Sequence, residues 1–210
     1  MTFRGWTDAV LDFYDGLEVD NSRTYWQAHR AVYDEQVRGP MVELLAELAD
    51  EFGEPKLFRP NRDIRFSADK SPYKTNIGAA IGGHGYVQLS ADGLAAARGT
   101  YAFSTDQLAR YRRAVALDLP GEALVAIVDA VRAAGLTITA AGQLTTAPRG
   151  YPRDHPRIEL LRYKGLVTWK QWPVEPWLAT AAAKDEVVAV LRASAPLVGW
   201  LEWYVGPSET

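Results

Sequence analysis

Two short segments concentrate the basic side chains of this chain. Residues 58–76, FRPNRDIRFSADKSPYKTN, contain five basic and two acidic groups, and residues 147–165, APRGYPRDHPRIELLRYKG, contain the same numbers. Guanidinium groups bind carboxylate or phosphate through two parallel hydrogen bonds, and lysine adds a mobile point charge. The two segments therefore predict a pocket for a small anion that carries a phosphate or carboxylate group.

The predicted site draws on both segments and contains no metal ion. Its predicted ligand-binding side chains are Arg62, Arg65, Lys70, Lys74, Asn76, Arg149 and Arg162. Its candidate catalytic acid–base groups are Asp63, Asp69 and His155, because each could exchange a proton with a ligand bound beside it. Whether the protein is an enzyme, and which cofactor it would use, is left open by these residues.

Two other interpretations use the same residues. In one, the protein is a non-catalytic module whose positive surface binds nucleic acid or another protein, with tryptophan and tyrosine contacting the partner. In the other, Asp63 and Asp69 neutralise the arginines in an internal network, and the basic segments serve the architecture alone. The residue types do not decide between these three interpretations.

The charge distribution disfavours a general affinity for nucleic acid. The net charge of the 210-residue chain is −3, and each basic segment carries +3, so the remainder carries −9. Positive charge is thus confined to two places in an acidic protein, where it would create a local field for a small anion. Oligomeric state is not indicated by any pattern in the sequence.

Several kinds of site are excluded or disfavoured by the composition. The chain has no cysteine, which excludes disulfides, thiolate zinc sites and cysteine nucleophiles. Its three histidines, His29, His84 and His155, lie in separate segments without the spacing of a metal site. No apolar run reaches the ~18 residues of a membrane span, and the N-terminal residues do not resemble a signal peptide, so we expect a cytoplasmic protein.

The elements that must position these segments are helices followed by strands. An apolar stripe from Trp6 to Leu17 predicts a first helix, and Asn21 and Ser22 begin a second one that continues through residues 24–37. The stripe Met41, Leu44, Leu45, Leu48 and Phe52 predicts a third helix, which ends at Gly53. Acidic residues beside this stripe, including Glu47, are interpreted as a solvated face.

Strands are predicted next to both basic segments. Alternation of Arg62, Ile64 and Phe66 with polar residues predicts a short strand over 62–67, and Asp92-Gly93 predicts the turn of a hairpin. Further strands are expected at 136–139 and near 163–169.

Helices are predicted again in the second half of the chain. One starts at a capping box of Ser104 and Gln107, and another ends at Gly135. Two more are expected near the C-terminus. Five tryptophans of the last third are interpreted as part of the core: Trp169, Trp172, Trp177, Trp200 and Trp203. The whole pattern predicts one α+β domain over residues 1–210, with a largely antiparallel sheet and helices packed on it.

Three motifs resemble one protein family. The run R-D-x-R-F-S-x-D-K-x-P-Y-K-T-N, from Arg62 to Asn76, resembles the signature of the uncharacterised domain-of-unknown-function 2461 family. The pattern N-x-R-x-Y-W-x-x-H-R-x-x-Y, from Asn21 to Tyr33, and the pattern that starts at Ala147 with A-P-R-G-Y-P resemble the same family. The resemblance implies a shared fold and a shared polar site, but it implies no activity.

Overall fold

The computed structural model describes residues 2–65 and 68–209, and its fold is α+β, as predicted. The strands are β1 (Pro55–Leu57), β2 (Asn76–Ile81), β3 (Gly85–Ser90), β4 (Gly93–Thr100), β5 (Thr137–Thr139) and β6 (Leu166–Trp172). They form one antiparallel sheet in the order β1-β2-β3-β4-β6-β5. The helices are α1 (Ala9–Val19), α2 (Arg23–Ala28), α3 (Arg30–Val32), α4 (Gly39–Phe52), α5 (Thr105–Ala116), α6 (Asp118–Ala133), α7 (Ile158–Arg162), α8 (Ala182–Ala193) and α9 (Ala195–Tyr204). A π-helical segment, Tyr33–Arg38, precedes α4, and a 3-10 helix, Pro176–Ala179, precedes α8.

The chain divides into two compact units. The first consists of Met1–Ala96 and Gln171–Ala189, and the second of Ala97–Lys170 and Val190–Thr210. The chain therefore passes from one unit to the other three times. A single domain over residues 1–210 stays a prediction.

The predicted apolar stripes form the helical part of the first unit. Val10, Phe13 and Leu17 of α1 are buried, and so are four residues of the stripe in α4, whereas the fifth, Phe52, is half-buried. Gly53 ends α4 with a φ of +93°, a conformation that side chains with a Cβ rarely adopt. Glu47 of α4 is not part of a solvated face, because its carboxylate accepts hydrogen bonds from the Phe3 amide and the Lys184 ammonium, both at 2.7 Å.

The second predicted helix starts where the sequence indicates but does not run on to residue 37. Ser22 caps α2 by accepting a hydrogen bond from the Tyr25 amide at 3.1 Å. The helix then ends at Ala28, because His29 leaves the helical conformation with a φ of −108° and a ψ of 11°. The His29 ring stacks on the Tyr25 ring at 4.0 Å, and its Nδ1 donates to the Tyr25 carbonyl at 2.9 Å. These local contacts stabilise the break.

Asn21 connects the start of α2 to the residue that leads into β2. Its Nδ2 donates to the Tyr73 carbonyl at 3.1 Å, and its Oδ1 accepts from the Tyr73 amide at 2.9 Å. The Trp26 ring stacks on the Tyr73 ring, with centroids 4.3 Å apart and planes 7° from parallel. One side chain thus makes both hydrogen bonds that a neighbouring strand would otherwise make to Tyr73.

In the second unit, helices α5, α6, α7 and α9 share one apolar core. Ser104 and Gln107 form the predicted capping box at the start of α5. The buried Tyr111 of α5 donates its hydroxyl to the Leu160 carbonyl at 2.8 Å, which holds α7. The second basic segment is thereby anchored at its C-terminal end.

Among the described residues, no helix has the length and apolar character needed to cross a membrane.

We expect Asn21→Ala to lower the free energy of unfolding by about 1–3 kcal/mol, because the amide and carbonyl of a buried residue lose their partner. Urea denaturation followed by tryptophan fluorescence measures this loss. Asn61→Ala is the matched control, since Asn61 is exposed and its side chain makes no hydrogen bond to a described residue. An equal loss in both variants would contradict this role of Asn21.

Candidate functional site

The first basic segment forms a loop between β1 and β2. The Arg62 amide donates to the Pro72 carbonyl at 2.9 Å, and the Lys74 amide donates to the Pro60 carbonyl at 2.8 Å. These two bonds close the loop at its base, opposite Asn21. Proline has no amide hydrogen, so Pro60 and Pro72 cannot donate to a strand ladder themselves.

The predicted strand over 62–67 is wrong for the part that the structure describes. Residues 62–65 belong to no strand, and Phe66 and Ser67 lie outside the described residues. The alternation of side chains is present in the sequence, but the polar groups of the segment form hydrogen bonds within the loop. Arg65, for example, donates both its backbone amide and its side chain to Asp63, two residues earlier.

Both carboxylates of the loop pair with arginines. Arg65 forms two bonds to Asp63, from Nε to Oδ1 at 2.9 Å and from Nη2 to Oδ2 at 2.6 Å. Arg62 donates from Nη1 to Asp69. Two of the predicted ligand-binding side chains thus already have a carboxylate partner, as the internal-network interpretation expects.

These contacts keep both carboxylates ionised. Hydrogen bonds from the Ser71 hydroxyl at 2.6 Å and the Ser71 amide at 2.9 Å, reinforced by Arg62, hold the pKa of Asp69 far below its usual range. Arg65 lowers the pKa of Asp63 in the same way, and Asp63 raises the pKa of Arg65. At neutral pH the two groups therefore carry negative charge and hold no proton to donate, which favours a charge-pairing role over that of a general acid.

Three basic groups of the loop form no salt bridge with a carboxylate of the described residues: Arg59, Lys70 and Lys74, although the charge of Arg59 helps to lower the pKa of Asp63. Lys70 donates to the Ile64 carbonyl at 3.0 Å, and the Lys74 ammonium lies 5.5 Å from the centre of the Phe58 ring. Arg59 is exposed, and Asn76 opens β2 with its side chain half-buried. The positive charge in excess of the acidic groups thus resides on these three side chains.

The second basic segment contains a buried arginine that the sequence analysis did not single out. Arg157 is 8% exposed, and its guanidinium donates to the Val115 carbonyl at 2.7 Å, the Ala116 carbonyl at 3.0 Å and Asp118 at 3.1 Å. A cation at the end of α5 stabilises the carbonyls that the helix leaves unpaired. The partner of Arg157, the end of α5 at Ala116, is distant in the sequence, so no pattern near Arg157 indicates this role.

The other predicted residues of the second segment have separate surroundings. Arg162 donates to Glu159 at 2.6 Å, while Arg149 is exposed and has no carboxylate partner among the described residues. His155 accepts a hydrogen bond from the Arg157 amide at Nδ1, at 3.0 Å. The proton of its neutral ring is therefore on Nε2, and this is the nitrogen that would meet a ligand.

The two segments belong to different units of the chain, the first segment to the first unit and the second to the second. One site formed by both stays a prediction, as do the catalytic roles of Asp63, Asp69 and His155. Among the residues that the structure describes, no group of three or more histidine, aspartate or glutamate side chains could hold a metal ion.

Of the five tryptophans predicted to belong to the core, only Trp200 is buried; Trp169, Trp172 and Trp177 are half-buried, and Trp203 is exposed. Trp200 is 4% exposed and donates from its indole to the Pro120 carbonyl at 2.9 Å, but Trp203 is 82% exposed. Trp200 and Trp203 are three positions apart on α9, which rotates them by about 60° around the helix axis. Of the two, only Trp200 faces α6.

We expect Ser71→Ala to raise the pKa of Asp69 toward its ordinary value of about 3.9, because both the hydroxyl bond and the ordered turn are weakened. NMR titration of the side-chain carboxyl carbons measures this change. Stability contributed by a carboxylate of lowered pKa is complete above the unfolded pKa and is lost as the pH falls through the folded one. Ser90→Ala, outside the loop, should leave Asp69 unchanged; an unchanged Asp69 in Ser71→Ala would contradict this assignment.

We expect Arg157→Ala to lower the free energy of unfolding by about 2–3 kcal/mol, because buried helix-end carbonyls lose a charged donor. Arg153→Ala provides the control, since Arg153 is exposed and has no carboxylate partner in the described part of the chain; it should change stability by less than about 0.5 kcal/mol. The midpoints of urea denaturation of the two variants measure this difference in stability. Similar midpoints would show that Arg157 has no special structural role.

Comparison with known proteins gives a family but no activity. The chain matches a conserved hypothetical protein from Pyrococcus furiosus, with 15% identity and a TM-score of 0.40 over 80% of this chain and 95% of that one. No curated protein matches the sequence. A family model described as a conserved hypothetical protein covers residues 9–200. The chain therefore belongs to the domain-of-unknown-function 2461 family.

Proposed function

We propose that the loop of residues 58–76 binds a small molecule that carries a phosphate or carboxylate group. The observation that supports this most directly is the distribution of ion pairs in the loop. Asp63 and Asp69 each pair with one arginine, so Lys70 and Lys74 have no carboxylate partner among the described residues, and Arg59 shares the charge of Asp63 with Arg65. An anion from solution would neutralise the charges of the two lysines.

Donor groups remain available on the cations. Lys70 gives one ammonium hydrogen to the Ile64 carbonyl, which leaves two for a ligand. Arg62 contacts Asp69 through Nη1, so Nε and Nη2 keep hydrogens that can bind a second anion beside the first. Arg65 is different, because Nε and Nη2 are both engaged with Asp63. Arg62, Lys70 and Lys74 are thus better ligand groups than Arg65.

The backbone of the loop supports binding because it is held in place before a ligand arrives. The Asn21 hydrogen bonds fix Tyr73, and the Lys74 amide is bound to Pro60. A preorganised loop loses less conformational entropy when it binds. The proposed function is binding, because both carboxylates of the loop are engaged in hydrogen bonds with Arg62, Arg65 and Ser71.

Isothermal titration with phosphate, pyrophosphate and citrate, each against sodium chloride at equal ionic strength, tests the proposal. We expect at least one of these anions to bind, and Lys74→Ala to weaken it about tenfold, the effect of losing one charge-assisted hydrogen bond. Lys56→Ala is the matched control, because Lys56 is an exposed lysine of β1 outside the loop. Asp69→Asn should strengthen binding, because it frees Arg62 and removes a competing carboxylate.

Three results would overturn the proposal. The first is the absence of binding by any of the anions beyond chloride. The second is equal affinity in wild type and Lys74→Ala. The third is a fall in melting temperature in Lys74→Ala without a change in anion affinity, which would assign the loop to the architecture alone. Tighter binding of short oligonucleotides than of pyrophosphate at the same ionic strength would instead indicate a nucleic-acid-binding module.

A further inference from the structure

A second candidate site lies in the first unit, and its chemistry is opposite to that of the basic loop. A cavity of about 500 Å³, partly open to solvent, lies between the residues around the start of α1, β3 and the 3-10 helix Pro176–Ala179. Pockets for small molecules generally have volumes of roughly 300–1,000 Å³ and mostly apolar walls. The size of this cavity therefore suits one small organic ligand.

The walls of the cavity are apolar and firmly held. Trp6, Val10, Leu89 and Leu178 are each at most 5% exposed. The Trp6 amide donates to the Leu178 carbonyl at 2.8 Å, which joins two of the walls. Gly5 allows this approach, because a Cβ at its position would collide with the backbone of residues 178–180. Main-chain contacts of the folded protein thus form the pocket before a ligand binds.

All ionisable groups that line this pocket are acidic. They are the carboxylates of Asp8 and Glu175, and no lysine, arginine or histidine lines the cavity. Asp8 occupies the N-cap position of α1 without making the usual side-chain hydrogen bond to the helix. Neither carboxylate has an ion-pair partner among the described residues. Both residues are exposed, so the cavity presents two solvent-accessible negative groups without a cation beside its apolar walls.

We propose that this pocket binds a small apolar molecule that carries one ammonium group, such as an alkylamine or an arylalkylamine. Its hydrocarbon part lies against Leu11, Val174 and Pro176, the apolar lining residues that keep accessible surface, and covering that surface stabilises it. Its ammonium group pairs with Asp8 and Glu175.

Binding of three matched probes to the full chain tests the charge and the apolar character separately. The probes are octylamine, octanol and octanoate, which share a chain length and differ in charge. We expect octylamine to bind at least about tenfold more tightly than octanol in isothermal titration, and octanoate to bind least. Equal affinity for octylamine and octanol, or tighter binding of octanoate, would overturn the proposal.

Variants of the lining residues show where octylamine and octanol bind. Asp8→Asn combined with Glu175→Gln should abolish the preference for octylamine over octanol and retain binding of octanol. Val174→Trp should weaken both, because the exposed Val174 lines the cavity and a larger side chain there fills it. Asp12→Asn is the control, since Asp12 is an exposed carboxylate one turn further along α1. A preference for octylamine that survives the double variant, or is lost in Asp12→Asn, would show that the amine binds elsewhere.

The pocket and the basic loop are tested independently. Lys74→Ala should leave the affinity for octylamine unchanged, and the double variant at Asp8 and Glu175 should leave the affinity for pyrophosphate unchanged. A loss of amine binding in Lys74→Ala would contradict the assignment of the amine to this pocket.

Discussion

The pair of hydrogen bonds between the Asn21 side chain and the Tyr73 backbone sets the geometry of the first unit around the basic loop. A residue at the base of a loop must satisfy its amide and carbonyl when it is buried, and Tyr73 is buried. The neighbouring prolines, Pro60 and Pro72, have no amide hydrogen, so the short ladder beside Tyr73 cannot be extended in the ordinary way. Asn21 takes the place of a strand, and the stacking of Trp26 on Tyr73 holds the helix start against the loop. Helix α2, the loop and the entry to β2 are thereby coupled through one residue pair.

The basic residues of this protein perform several distinct tasks, although the sequence presents them as two similar groups. Arg157 is buried and stabilises the end of α5, and Arg65 is fully engaged with its neighbour Asp63. Lys70 and Lys74 have no carboxylate partner among the described residues, and together with Arg62 they are the groups on which the proposal of anion binding rests. A count of charges therefore overstates the number of residues available to a ligand. The distribution of ion pairs corrects the count, because a guanidinium such as that of Arg65, which is bound to a carboxylate through both Nε and Nη2, has fewer donors left for a second anion.

The first unit contains two candidate sites with opposite electrostatics. The loop has an excess of positive charge and an exposed surface, whereas the cavity beside α1 has apolar walls and two carboxylates. Ligands of the two sites would differ in charge and in hydrophobicity, so one molecule would not compete for both. The acidic cavity also accounts for part of the negative charge that the chain carries outside its basic segments. A molecule with a hydrocarbon body and a single cationic group is the kind that such a cavity recognises, since burial supplies affinity and the carboxylates supply selectivity.

The sequence by itself determined the local elements, because their causes lie within a few residues. The apolar stripes of α1 and α4, the capping box of Ser104 and Gln107 and the turn at Gly93 all follow from periodicity and from short-range hydrogen bonds. The α+β class and the family follow from the order of those elements and from the motifs. The tertiary structure alone decided which partners distant residues have. Asn21 and Tyr73 are 52 positions apart, and Arg157 and Val115 are 42 apart, so neither pairing has a signal in its own segment. The same holds for the cavity, whose walls come from both ends of the first unit's sequence and meet only when the chain packs.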